Sequence, residues 1–250
     1  NSKKIIKPIQ TKMIHIVSFN IDEITAYRYE KTGDLERIYP GVYIKAGLPR
    51  EKRRALIMDY TPRIVATKMA SSILVGGSAY HGGVFNGSLY IASPHRKDWQ
   101  MIGNEIPITS LTLTPKRGGV PYHWIHASDD IGSFRVKAAP DELLLLHAFM
   151  IHRRESKATS IISATDLIAI AKRTVERYGT MDTAMKKIGA MAERMGMAQE
   201  LKRLSLFMPM ALIEDQKKKY ISNLDIFWFG DKVAALRHDG TRSEILPVEA

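Results

Sequence analysis

The sequence has no cysteine among its 250 residues, which excludes disulfide bonds and thiolate metal sites. No apolar run approaches the roughly 20 residues that a membrane-spanning helix needs. The basic N-terminus also lacks the apolar core of a secretion signal. These absences fit a reducing compartment, and we expect a cytoplasmic protein. The chain begins with Asn1 rather than Met, which is consistent with a processed or trimmed chain.

Motifs for catalysis are equally scarce. Gly76-Gly77-Ser78 resembles the start of a nucleotidyltransferase site, but the strand-like run Leu89–Ser93 that follows carries no pair of acids to hold magnesium. Lys116–Gly119 is too short for a phosphate-binding P-loop. No nucleophile elbow, dinucleotide fingerprint or paired-carboxylate motif is visible. We therefore expect no enzyme activity and no cofactor.

The histidines do not form a recognisable metal-binding pattern. His123 and His126 are three residues apart, a spacing that places them on opposite faces of a strand. No carboxylate lies at a familiar ligand spacing from them. We expect surface or hydrogen-bonded histidines and no metal site.

Positive charge, in contrast, is abundant. The formal net charge is +11 and the pI is near 9.7, a balance that favours contact with nucleic acid, an anionic membrane or an acidic protein. The excess is concentrated in residues 1–60 and 150–221. Ordinary solubility is the alternative explanation for each basic region.

The pattern around which the N-terminal region is organised is a helix followed by a small basic hairpin. The helix is predicted over Ile21–Lys31, with Ser18 or Asn20 as its N-cap. Strands are predicted at Leu35–Tyr39 and Val42–Lys45, joined by a turn at Pro40-Gly41. This order is typical of the end of a winged helix-turn-helix. An amphipathic surface helix beside a solvated hairpin is the alternative.

In the DNA-binding interpretation the helix would enter a groove and the hairpin would contact phosphates. Ile21, Ile24 and Tyr27 recur at helical spacing. The predicted DNA contacts are Thr25, Arg28, Tyr29 and Lys31 on the helix and Arg37, Lys45 and Arg50 on the hairpin and the following loop.

Further along, a helix opening at Pro49 is predicted to stop at Thr61-Pro62, with a strand over Arg63–Met69. Residues 63–138 are predicted to be mostly β, including a hairpin turning at Asn86-Gly87. Helices are then predicted at Leu143–Ile151 and at residues 163–178, 180–196 and 197–208, followed by a final hairpin from Asp225.

Eight methionines lie in the helical part, where they can fill a core or form an adaptable partner surface. The core interpretation is favoured. Basic residues flank them, and a basic helical face suits an acidic partner protein or nucleic acid, or is simply solvated. The predicted partner contacts are Arg173, Lys186, Lys187, Arg194, Lys202 and Arg203.

The predicted fold class is α+β. It comprises an N-terminal winged helix (residues 1–60) whose usual first two helices are shortened or missing, and a mixed α+β region (61–222). That region has a central β part and a helical part. A β-hairpin tail (223–250) follows, which is a candidate start of a further domain. Oligomeric state is left open.

Gly33–Tyr43 resembles the wing of the AbiEi family of bacterial type IV antitoxins, where a G-x-L-x-R-x-x-x-G-V-Y run is typical. Ser78–Pro94 and Ala139–Leu146 resemble later segments of that family in the same order. The resemblance implies a winged helix that binds operator DNA and represses its own operon. It also implies a C-terminal region that counters a nucleotidyltransferase toxin.

The tail Leu224–Val233 resembles the opening strands of HipA-type kinases, so the chain is also interpreted as a fragment of a longer toxin–antitoxin protein. The leading prediction is a non-enzymatic antitoxin-like regulator that binds its own operator and a cognate toxin, in a phage-defence or toxin–antitoxin system. The alternative is a protein-interaction module that binds a toxin domain without specific DNA binding.

Overall fold

The computed structural model describes residues 13–93, 101–111, 113–150 and 162–212, together with the backbone of three strands between residues 224 and 247. These residues form the α+β architecture that the sequence predicts. None of the helices described is long and apolar enough to cross a membrane. In chain order the elements are β1 (Ile14–Ile16), α1 (Glu23–Thr32), β2 (Leu35–Tyr39), β3 (Val42–Lys45), α2 (Arg50–Lys68), β4 (Ile73–Leu74), α3 (Gly76–His81), β5 (Leu89–Ala92), β6 (Met101–Ile102), β7 (Ile106–Leu111), β8 (His123–Asp129), β9 (Gly132–Ala138), α4 (Asp141–His147), α5 (Ala164–Tyr178), α6 (Met181–Met195), α7 (Ala198–Ala211), β10 (Leu224–Phe229), β11 (Lys232–His238) and β12 (Ser243–Pro247).

The N-terminal strands form a three-stranded antiparallel sheet in the order β1-β3-β2. Because side chains alternate along a strand, the sheet has two different faces. Leu35 and Tyr43 face α1 and form a small cluster with Ala26. Ile38 and Ile44 face the other way and belong to the main core. Strands β2 and β3 begin and end at the predicted residues.

Helix α1 begins two residues later than predicted, and its cap is neither Ser18 nor Asn20. The Asp22 carboxylate accepts a hydrogen bond from the Thr25 amide at 2.9 Å, which caps the helix. Hydrogen bonds from Thr25 lower the pKa of Asp22. The Asn20 side chain instead accepts from the Ile16 amide at 2.7 Å, so it closes the loop before the helix.

The prediction that a helix ends at Thr61-Pro62 and that a strand follows is wrong, because helix α2 occupies this region. The helix continues through Pro62 to Lys68 and thereby crosses the predicted domain boundary at residues 60/61. An internal proline costs about 3 kcal/mol. Burial of Ile57, Ile64 and Val65 against the core offsets this, since each such side chain contributes about 1.5–3 kcal/mol.

The central sheet has six strands in the order β6-β7-β5-β4-β9-β8. The β4–β9 and β5–β7 pairs are parallel and the other pairs are antiparallel. All six strands of this sheet lie within residues 63–138, but they make up less than half of that range, which also contains the end of α2 and the whole of α3, so the prediction of a mostly β region is wrong. Strand β8 lies at one edge of the sheet.

Two glycine signals in this region have a different outcome from the prediction. A glycine pair such as Gly76-Gly77 usually interrupts regular structure, yet here it opens α3. Asn86 and Gly87 adopt φ of 48° and 76°, as a tight turn requires. The hairpin around that turn is limited to one bridge between Phe85 and Ser88. Strand β5 pairs instead with β4 and β7 of the central sheet.

A buried arginine of α2 holds the turn between β8 and β9. Arg63 is 2% exposed, and its Nε and Nη2 lie 2.5 and 2.6 Å from the two carboxylate oxygens of Asp129. It also donates to the Gly132 carbonyl and lies 4.6 Å from the centroid of the Phe134 ring. Beside it, the Tyr60 hydroxyl donates to Asp130. These contacts fasten the tip of the β8–β9 hairpin to α2.

The pKa of Asp129 gives this contact a pH dependence. Desolvation works to raise the pKa, but hydrogen bonds from Arg63 and from the Ile131 amide outweigh it and hold the pKa below 3.8. A depressed folded-state pKa contributes stability that is complete above the unfolded-state pKa and is lost as the pH falls through the folded-state value.

We therefore expect Asp129→Asn to be less stable than the wild type at neutral pH, with a difference that shrinks in acid below about pH 4. Urea denaturation at a series of pH values measures this difference. A gap between the two proteins that stays constant down to acid pH would contradict the contribution assigned to Asp129.

The helical half follows the prediction closely. Helices α5, α6 and α7 begin and end within three residues of the predicted limits, whereas α4 ends at His147 rather than Ile151. The methionines pack inward: Met195 and Met208 are buried, and Met181 and Met185 pack against the core. The core interpretation of these methionines is confirmed.

At the tail, β10, β11 and β12 form a three-stranded antiparallel sheet in sequence order. The hairpin predicted from Asp225 corresponds to β10 and β11, and β12 adds a third strand.

Candidate nucleic-acid interface

The outward face of α1 is exposed to solvent. It carries Ile24, Tyr27, Arg28 and Lys31, at positions i, i+3, i+4 and i+7, which share one side of a helix. Ile24 is 65% exposed and Tyr27 is 55% exposed. The Lys31 ammonium lies 5.3 Å from the centroid of the Tyr27 ring, so charge and aromatic surface are combined. We call these four residues the α1 face.

The predicted helix contacts divide between the two sides of α1. Arg28 and Lys31 lie on the α1 face. Tyr29 is half-buried and packs against the cluster around Ala26. Thr25 is half-buried at the N-terminal end, with its amide bonded to Asp22.

Ile24 and Tyr27 are surface residues that the sequence pattern does not identify, because their helical spacing with Ile21 indicates a packed side. The side that packs is built on Ala26, a small residue that lets α1 approach Leu35 and Tyr43 closely. In the sequence, Ala26 is the residue that indicates which side of α1 packs against the sheet.

The three predicted contacts outside α1 occupy separate positions. Arg37 lies on the α1 side of β2, 3.6 Å from Glu30, and its side chain is 49% exposed. Lys45 is the exposed last residue of β3, paired in register with Leu35. Arg50 is the exposed first residue of α2. Arg37 is thus linked to α1 directly through Glu30, whereas Arg50 belongs to a different helix.

The hairpin turn is tied to the rest of the fold. Gly41 has a φ of 69°, which glycine adopts without steric cost. Its carbonyl accepts from the Val17 amide at 2.9 Å, and the Val17 carbonyl accepts from Lys68 Nζ at 3.0 Å. Burial lowers the pKa of Lys68. The hairpin is therefore a fixed support for α1.

Arg53 of α2 joins this hairpin to the central sheet. Its Nη2 lies 2.7 Å from Oε1 of Glu36 on β2, and its Nη1 donates to Glu105 and, at 2.8 Å, to the Gly103 carbonyl. The Gly103 amide donates to the Ile38 carbonyl at 2.8 Å. Burial opposes the charged guanidinium, but hydrogen bonds with Glu36 and Glu105 raise the pKa of Arg53.

The three arginines predicted to bind a partner make hydrogen bonds within the chain. Arg173 makes two hydrogen bonds with the buried Asp141, at 2.5 and 3.0 Å, and lies 5.1 Å from the centroid of the Tyr80 ring. Arg194 donates to the Gly119 carbonyl at 2.8 Å. Arg203 donates to the Phe149 carbonyl at 3.2 Å. Lys186, Lys187 and Lys202 remain exposed on α6 and α7.

Ser78 and the nearby His81 are engaged in the fold. Ser78 is fully buried, and its hydroxyl accepts from the Tyr90 amide at 2.9 Å. His81 stacks on Phe85 and lies 3.0 Å from the Asp166 carboxylate. Within the described part of the chain, no group of three or more histidines and carboxylates is arranged to hold a metal ion.

Comparison with models of known families and with curated proteins finds no match for this chain. The function of the α1 face is therefore inferred from its own geometry.

Proposed function

We propose that this chain is a DNA-associated regulator of the antitoxin type, which contacts operator DNA through the α1 face and counters a toxin protein. The observation that carries the proposal is the α1 face itself. Two cations and two large apolar side chains project from one side of a helix that rests on a sheet of order β1-β3-β2. That helix-and-hairpin arrangement supports a winged-helix interpretation of the N-terminal region.

The chemistry of the α1 face suits duplex DNA. The major groove, about 12 Å wide, admits an α-helix and exposes base edges. Arg28 supplies paired donors of the kind that guanine accepts, and Ile24 offers apolar surface to a thymine methyl group. Lys31 and Arg37 supply positive charge for phosphates at the flanks of the helix. Glu30, which pairs with Arg37, would limit how freely that arginine reaches DNA.

A second function, docking of a partner protein on the same face, is favoured by a separate observation. Ile24 and Tyr27 expose more apolar surface than a solvated helix needs. The hairpin turn at Gly41 is also bonded to Val17 and does not project as a free wing. In this interpretation the α1 face binds the toxin, and DNA contact is absent.

The double variant Arg28→Ala/Lys31→Ala separates these two functions. If both side chains contact phosphates or bases, affinity for a duplex from the chain's own promoter falls. The slope of log affinity against log salt concentration should become shallower by about two. Fluorescence anisotropy titrations at several salt concentrations measure both quantities.

The matched control is Lys52→Ala/Arg54→Ala, which removes two exposed cations from α2. Net charge changes equally in both double variants, so a general electrostatic effect would weaken them equally. Equal weakening would reject the α1 face as the DNA contact. Loss of toxin binding with unchanged DNA binding would establish the protein-docking function instead.

A further inference from the structure

A second surface with chemistry for nucleic acid lies on the β8–β9 hairpin, away from α1. In this antiparallel pair Trp124 is in register with Lys137, and His126 is in register with Arg135. Alternation along both strands sends these four residues to one face, with Tyr122 just before β8 on the same side. We call these five residues the β8–β9 face. The opposite side, with Val136 buried, packs against α2.

Aromatic rings and cations are in direct contact on this face. Tyr122 is 45% exposed and Trp124 is 38% exposed, and their ring centroids are 5.5 Å apart. The Arg135 guanidinium lies 4.4 Å from the centroid of the Trp124 ring. Lys137 Nζ lies 5.0 Å from the Tyr122 centroid and also donates to the Ala70 carbonyl. The surface is therefore both aromatic and positively charged.

The two carboxylates of the β8–β9 hairpin are hydrogen-bonded to side chains of α2. Asp129, at the end of β8, is held by Arg63 on the opposite side of the hairpin, and Asp130 accepts from Tyr60. Among the ion pairs of the described residues, none involves Arg135 or Lys137. The positive charge of this face is thus available to an anionic ligand.

From these observations we infer that the β8–β9 face binds single-stranded nucleic acid. Bases stack on exposed aromatic rings, and cations beside the rings meet the phosphates. Tyr122 directly precedes β8, and its ring centroid lies 5.5 Å from that of Trp124, with the two ring planes at 81° to each other. That separation allows successive bases of an extended strand to meet successive rings. In a duplex the bases are paired inside the helix and cannot stack on these rings. An acidic peptide would contact the cations but leave the rings unused.

This site is distinct from the α1 face in location and in ligand. Fluorescence anisotropy of the full chain with labelled oligo-dT and oligo-U of about 12 nucleotides tests it. Both oligonucleotides should bind more tightly than a duplex of equal length. Preference for oligo-U would identify RNA as the ligand, and preference for oligo-dT would identify DNA.

The variants Tyr122→Ala and Trp124→Ala should each weaken binding on the order of tenfold to a hundredfold. Trp124→Phe keeps a ring and should retain most of the affinity. Phe19→Ala removes an aromatic side chain that is 55% exposed elsewhere, and should leave affinity unchanged. Undiminished binding by Trp124→Ala, equal competition by the duplex, or binding only to an acidic peptide such as poly-glutamate would overturn the assignment.

Discussion

Arg63→Ala is expected to lower the free energy of unfolding by about 3–5 kcal/mol, which is the usual cost of breaking a buried ion pair. The guanidinium is nearly inaccessible to water and makes three kinds of contact, with Asp129, with the Gly132 carbonyl and with the Phe134 ring. Removing it leaves the Asp129 carboxylate partly buried without its cation. Urea denaturation at neutral pH measures the loss.

The matched control is Arg54→Ala, an exposed arginine on the same helix, which should change stability by about 0.5 kcal/mol or less. Pairing Arg63→Met with Asp129→Asn adds a double-mutant cycle. The double variant should lose less than the two single variants added together, because each single variant leaves one member of the pair unmatched. A loss below about 1 kcal/mol for Arg63→Ala would contradict the role of this pair in holding the hairpin.

Gly103→Ala is expected to destabilise the protein by about 1–3 kcal/mol beyond the cost of its backbone conformation. Gly103 has a φ of 60°, and a Cβ there would lie 2.6 Å from Ile57 Cδ1 and 3.3 Å from Ile38 Cγ2. A neighbouring side chain would have to shift at the junction where Arg53 joins β2 to the central sheet.

Gly47→Ala is the control that isolates this steric contribution. Gly47 has a φ of 71°, similar to that of Gly103, but an alanine methyl group at this position would have no atom within 4 Å of it beyond its chain neighbours. Both substitutions therefore share the cost of a left-handed alanine, about 1–2 kcal/mol. Thermal or urea unfolding of the two variants gives the difference. Equal losses would show that the Gly103 junction can absorb a methyl group.

Short-range patterns predict the hairpin beneath α1 well. The limits of Leu35–Tyr39 and Val42–Lys45 are correct, because alternating side chains and a glycine turn specify a hairpin locally. The limits of α5 and α6 are also predicted closely, since their apolar periodicity and their capping residues agree. These elements are encoded within a few residues of where they occur.

Long-range contacts account for what the sequence does not show. Pro62 indicates a helix end, yet α2 continues because Ile64 and Val65 are buried against strands distant in sequence. The pairing of Arg63 with Asp129 spans 66 residues and leaves no local signal. The β8–β9 face has a local signal, aromatic and basic residues at alternate positions, but only the pairing of β8 with β9 brings its two halves together.

The central claim is that the α1 face recognises operator DNA. Competition between a duplex from the chain's own promoter region and random DNA of equal length tests it most directly. We expect the promoter duplex to displace labelled DNA at a concentration on the order of a thousandfold lower, with Arg28→Ala/Lys31→Ala abolishing most of that preference. Equal competition by promoter and random DNA would contradict the claim.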